Sequence, residues 1–317
     1  MPGFVTHYIF GRETYHQLDA DAFKANLYRN RAAFGLGLQG PDLFFYYLPS
    51  YVLHGCNPGA LAHDGQANTF FSSLIGSCLS FSSAEDRGIA EAYLAGFLGH
   101  YTLDTICHPY IYAMTHYRGN EKDYFSRHAY LETDIDNAML SDRLHRSPGS
   151  FCPGSTIALT SRQKTVIASM LSSACHAAFP RLRIGMLTMR LSIFSFQLGM
   201  WLLADKTGQK KVLFRLTERL FLGYPLFSPL IPSRSLAFRT DPFNLRHARW
   251  HNPWDPSRKS RESFSDLYRR SMHLYLTRLS RLRELLSCDE DGDRQTKLIS
   301  RFLEEYGNRS FLSGLAL

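Results

Sequence analysis

The sequence predicts an all-α protein, a multi-helix bundle, and three observations carry that expectation. Apolar residues recur at helical spacing along most of the chain. No segment alternates apolar and polar residues convincingly enough to read as a strand, and no internal repeat is evident. The stretches between the periodic segments are Gly-, Pro- and Ser-rich connectors. With 317 residues, 44% of them apolar, the chain can bury a large core.

Thr6 can cap a first helix through HYIFGRETYHQL, and Asp19 or Asp21 a second through FKANLYRNRAAF. An irregular Gly/Pro/aromatic loop with short helical turns follows over residues 35–65, and it carries Asp42, His54 and His63. It is too long for a plain connector and too aromatic for disorder. Helices are expected at 66–81 and 84–108. The second should end or kink at Pro109, which lacks an amide donor. Another runs over 122–143, then a Pro/Gly/Ser linker over 145–156. Further helices are expected at 161–179, 184–205, 209–222, 262–287 and 294–306. The linker suggests two helical regions, 1–145 and 157–317, the second packed on the first or continuous with it. Segment 184–204 is long enough to span a membrane, but Arg190 and Gln197 interrupt it, so it reads as a buried core helix, with interfacial membrane contact as the alternative.

The chemistry is concentrated between Phe97 and Asp136. His100, Asp104 and His108 are each four residues apart, as are His128 and Glu132. Residues four apart on a helix share a face, so these form two ligand stripes. Imidazole nitrogens and carboxylate oxygens in such stripes suit zinc, which takes these donors at about 2.0–2.2 Å. Upstream, His7 lies in the first helix and Asp42 in the loop. His54 follows twelve residues later and is preferred to His63, which competes with it. Loss of Met1 would expose the amine of Pro2 five residues before His7. His247 and His251 lie near Pro253 and serve structure or substrate contact.

This ordered set resembles the zinc-dependent phospholipase C family, whose superfamily also holds the single-strand-specific zinc nucleases and clostridial alpha-toxin. The resemblance covers about residues 1–140 and implies an all-α bundle binding two to three zinc ions. It assigns Asp42, His54, His100 and Asp104 to one ion, and His108, His128 and Glu132 to another. Pro2 and His7 would hold a third, with Asp104 bridging it to the first. Asp42 and Asp104 are the implied catalytic residues, Asp42 orienting or deprotonating the attacking water. The implied activity is phospholipase C cleavage of a glycerophospholipid. Alternatives are a nuclease or phosphomonoesterase of the same fold, or a metal-stabilised interaction module without turnover.

Net charge is +8, and residues 137–260 hold 18 Lys or Arg against five acids. Such a surface favours anionic partners without choosing among phosphoesters, an anionic membrane touched peripherally and nucleic acid. The resemblance favours a phosphoester substrate and makes nucleic acid the lesser expectation. Six cysteines without a CxxC pair, and an N-terminus without a signal-peptide pattern, predict a cytoplasmic protein with reduced thiols.

Overall fold

The organising element is a 31-residue helix, and the rest of the fold is arranged to reach it. The computed structural model describes residues 3–50, 57–119, 124–182, 184–232, 241–287, 292–306 and 308–317. In chain order these form α1 (Phe4–Gln17), α2 (Ala22–Arg29), α3 (Arg31–Gly37), a 3-10 segment (Gly40–Tyr46), α4 (Pro58–Asp64), α5 (Ala67–Ser80) and α6 (Ala84–Met114). There follow α7 (Tyr124–Leu144), the single turn α8 (Pro153–Thr156), α9 (Ser161–Ala178), α10 (Met186–Leu202) and α11 (Gln209–Phe221). A hairpin, β1 (Trp250–Asn252) and β2 (Asp255–Ser260), precedes α12 (Phe264–Leu286) and α13 (Gly292–Tyr306). The fold is all-α, 71% helical, with one two-stranded sheet among the described residues.

The central helix is α6, apolar nearly all round, with Tyr93, Phe97, Tyr101 and Tyr110 fully buried. A helix of that composition must be covered on several sides. Helices α3, α9 and α12 pack on it. The α3 contact is a backbone-to-backbone approach: a Cβ at Gly37 would lie 2.2 Å from Tyr93 O, and one at Gly96 2.2 Å from Phe34 O. Opposed glycines thus bring the segment after α3 against His100. Residues on both sides of the 145–156 connector share one hydrophobic core.

Four local readings change. Thr6 lies inside α1 rather than capping it, because the helix starts at Phe4 and Gly3 is the capping position. Asp21 does cap α2, accepting from Lys24 N at 2.8 Å, but the helix expected over 23–34 breaks at Asn30. Pro109 does not end α6, which continues to Met114. The carbonyl that Pro109 deprives of a donor is Thr105 O, and Gly314 (φ +64°) comes so near that a Cβ there would lie 2.3 Å from it. The hairpin escaped the sequence because β1 has three residues and β2 contains Pro256.

Helix α10 corrects the expectation of a fully buried core helix. Met189, Ile193, Phe196 and Met200 face the core, while Leu187, Leu191, Phe194, Leu198 and Trp201 are exposed. A helix apolar on both faces has no periodic signal to say which face is covered.

Candidate metal centre

Five elements deliver eight side chains to one place. From α6 come His100, Asp104 and His108, stacked at four-residue spacing, and all three are buried. Helix α1 brings His7, the 3-10 segment brings Asp42, α4 brings His63, and α7 brings His128 and Glu132. These side chains fall into three groups whose donor atoms lie within 4.8 Å of one another: His7, His100 and Asp104; Asp42, His63 and His100; His108, His128 and Glu132. Asp104 is the hub. Its Oδ1 lies 3.1 Å from His7 Nε2, and its Oδ2 lies 3.0 Å from His100 Nε2 and 3.9 Å from His63 Nε2. His63 Nε2 is 3.2 Å from Asp42 Oδ1, and His128 pairs with Glu132.

The histidines are aimed. His63 Nδ1 lies 2.6 Å from Gly59 O, His100 Nδ1 3.2 Å from Leu38 O, and His108 Nδ1 2.6 Å from Phe311 O. A carbonyl only accepts, so Nδ1 carries the proton in each ring and Nε2 presents its lone pair to the centre. His128 Nδ1 is held by the Tyr124 hydroxyl at 2.9 Å. This outer bracing of imidazoles is characteristic of metal ligation.

Zinc fits these residues by a test independent of motif. Seven buried atoms of the cluster have no hydrogen-bond partner: both nitrogens of His7, Nε2 of His100 and of His108, Oδ1 of Asp42, and both carboxylate oxygens of Asp104. The close His–Asp approaches lack hydrogen-bond alignment. Leaving one buried polar atom unsatisfied costs about 1–3 kcal/mol, so a cluster of them marks a missing partner. A dication ligated by imidazole and carboxylate is the partner that satisfies both atom types at once.

The electrostatics prepare the ligands. Burial drives the His7 pKa down to about 4, holds His63 and His128 below the usual histidine value, and holds His108 well below it. These rings are therefore neutral, the form that binds metal. Burial alone would raise the Asp104 carboxyl, but His100 and His108 beside it hold it well below the usual range. Asp42 goes the other way, well above it, because of its burial.

Asp136, one turn beyond Glu132 on α7, positions the cluster without joining it. Its Oδ2 accepts from Val5 N at 2.9 Å, and its Oδ1 from Thr6 N at 2.8 Å and Thr6 Oγ1 at 2.6 Å. It thus caps α1 from another helix, where a carboxylate complements the amide ends. Gly3 is required there, since a Cβ would lie 2.3 Å from Asp136 Oδ2. Replacing Asp136 by Ala should loosen His7 and weaken metal binding about 10–100-fold, the usual cost of removing an outer-shell partner. A zinc titration monitored by competition with a chromophoric chelator measures it. Unchanged affinity would show that α1 is held by other contacts.

Of the sequence-predicted ligands, His7, Asp42, His100, Asp104, His108, His128 and Glu132 are brought together. Pro2 and His54 lie outside the described residues, and the histidine found beside Asp42 is His63. His247 and His251 belong to none of the three groups. Both are exposed, and His247 Nδ1 faces Arg261 O at 2.9 Å. Sequence reasoning missed Asp136, although its four-residue offset from Glu132 places it on the same helix face. It also missed Phe311, Leu38 and Gly59, which act through backbone carbonyls and leave no side-chain signal.

Among described residues, no helix is long and apolar enough to cross a membrane. No curated protein and no solved structure shows significant similarity to the chain. Residues 6–177, more than half the chain and including every side chain of the three groups, match the family described as zinc dependent phospholipase C. On that match, with an all-α fold and buried His/Asp groups compatible with zinc, the chain belongs to the zinc-dependent phospholipase C family.

Proposed function

We propose that the protein is a zinc-dependent phosphodiester hydrolase that cleaves a glycerophospholipid to diacylglycerol and a phosphorylated head group. The observation that carries this reading is the inward convergence of His and Asp donor atoms, buried and without hydrogen-bond partners. Two to three zinc ions are the proposed cofactors. Bound zinc supplies Lewis acidity toward phosphoryl oxygens and makes water a nucleophile at neutral pH. His63 is the proposed ligand beside Asp42 in place of His54, and His7, His100 and Asp104 hold the adjacent ion. His108, His128 and Glu132 hold the remaining one.

The chain's own residues do the rest. Asp42, from the 3-10 segment, is proposed to orient or deprotonate the attacking water. Asp104 stays ionised and joins the His7 and His100 sides of the cluster. The bracing carbonyls fix the rings before substrate arrives, so little reorganisation accompanies the reaction. Beside His128, Tyr112, Tyr117, Tyr124 and Trp254 pack mostly edge to face at centroid distances of 4.7–5.5 Å and offer an aromatic wall to the substrate.

The test is turnover of phosphatidylcholine, a phosphomonoester and single-stranded DNA by protein of measured zinc content. Hydrolysis of the phospholipid alone is expected. Preference for DNA or for the monoester would transfer the assignment to the nuclease or phosphatase chemistry of the same fold. Zinc-loaded protein inert on all three would favour a non-catalytic module. In the same assays, His63→Ala should lose about one zinc per chain and at least about a hundredfold in rate, the scale of removing a group that acts on the transition state. His54→Ala should lose little. The reverse result would restore His54 as the ligand.

A further inference from the structure

Helix α11 is built inside out. Its one buried side chain is Glu218, while Val212, Leu213, Phe214, Leu216, Leu220 and Phe221 are exposed, the last two at 77% and 80%. On a helical projection these six apolar residues share one broad face, and Lys211, Arg215, Glu218 and Arg219 share the other. Glu218 is turned inward for a stated reason: its carboxylate accepts from the amides of Phe227 and Ser228, which fixes the chain after the helix. The apolar face is therefore held outward by design of the polar one.

It does not stand alone. The exposed stripe of α10 ends at Trp201, and Lys210 at the start of α11 lies 5.9 Å from that ring while bonding to Leu202 O and Ala204 O. The two apolar faces adjoin there. Monomeric proteins rarely leave so many large apolar side chains in water without a partner.

Charge identifies the partner. Residues 186–227 contain six cations, Arg190, Lys206, Lys210, Lys211, Arg215 and Arg219, and two acids, Asp205 and Glu218. Both acids are buried, and five of the cations are exposed. A second copy of this surface would set these cations against one another with no exposed carboxylate from the segment between them. An apolar helix face rimmed by Lys and Arg is the pattern that enters the interface of an anionic bilayer.

The elements beneath carry the metal centre. Helix α10 packs on the 3-10 segment of Asp42, with Phe196 edge-on to Tyr46 at 5.0 Å. Thr133, next to Glu132, donates to Pro229 O at 2.7 Å, and Lys211 lies over Tyr130 of α7.

We propose that α10 and α11 form an interfacial docking platform for anionic phospholipid bilayers, with the exposed apolar face of α11 as its inserting part. The choice of lipid as occupant rests on the phospholipase reading, and the test separates the two. Binding of the zinc-loaded protein is measured by flotation with vesicles of phosphatidylcholine alone and with phosphatidylglycerol added. The native protein should float with the anionic vesicles. Leu220→Glu/Phe221→Glu should bind at least about tenfold more weakly, as two large apolar side chains leave the interface. Arg215→Gln/Arg219→Gln should lose roughly twentyfold at low salt. Zinc content, helicity and turnover of a monomeric short-chain phospholipid should be unchanged in both variants, since these exposed residues touch nothing in the centre.

Native protein that does not float, or variants that bind as well as native, overturn the platform. So does a native dimer in sedimentation that Leu220→Glu/Phe221→Glu makes monomeric, which would make the face a self-interface. Vesicle binding that both variants lose, without phospholipid hydrolysis in any form, keeps the platform and removes the phospholipase reading. Hydrolysis of short-chain lipid without vesicle binding does the opposite.

Discussion

Asp104→Asn should abolish measurable phosphoester hydrolysis, lowering the rate by at least about a thousandfold, the upper range for a single group that stabilises developing charge. The expectation comes from its place in the cluster. Asp104 contacts His7, His63 and His100, which belong to two of the three donor groups. An amide in its place keeps the volume but removes the negative charge and half of the acceptor capacity. Zinc content should fall by at least one ion per chain, and the zinc at His108, His128 and Glu132 should remain. Elemental analysis alongside circular dichroism measures both. A variant that keeps its zinc and its rate would mean that the α6 stripe is a buried polar network and not a metal site.

Removing the metal should be almost as damaging to the fold as to activity. Chelation strands seven buried polar atoms, each at a cost of about 1–3 kcal/mol. For a chain of this size about 1 kcal/mol moves Tm by about 1.5 °C, so a drop of at least about 10 °C is expected, reversed by zinc. The metal-free protein should also become acid-sensitive. His7 has a folded pKa of about 4 against an ordinary 6.5. Between these values the unfolded chain takes a proton that the folded chain refuses. The contribution of this group is therefore intact above pH 6.5 and lost as pH falls toward 4. His7→Gln should flatten that slope by about 3 kcal/mol in urea melts of the metal-free protein. Equal slopes with and without His7 would show that the buried ring does not hold this low proton affinity.

Periodicity explains what the sequence disclosed. His100, Asp104, His108, His128 and Glu132 were legible as candidate ligands because a helix converts four-residue spacing into a shared face. His7 and Asp42 were placed by order along the chain and by resemblance. The choice between His54 and His63 had no such support. Both sit in a segment without period, and only the position of α4, which sets His63 beside Asp42, offers a geometric reason for one of them. Pro109 misled because the local rule is sound and tertiary packing overrode it through Gly314. The bracing carbonyls of Leu38, Gly59 and Phe311 were invisible in principle, since every residue carries a carbonyl.

The last of those carbonyls has a bearing on how the centre is made. Phe311 accepts from His108 across 203 residues of chain and donates its own amide to His63 O. At ribosomal speeds, that separation takes roughly 10 to 40 s to synthesise. Throughout that interval the His108 ring lacks its clamp and can offer either nitrogen to any metal. Copper(II) binds such donors more tightly than zinc in the absence of imposed geometry. A metal that reached the α6 histidines before Phe311 would meet rings not yet oriented, a stage at which copper(II) would compete with zinc more readily than at the finished cluster.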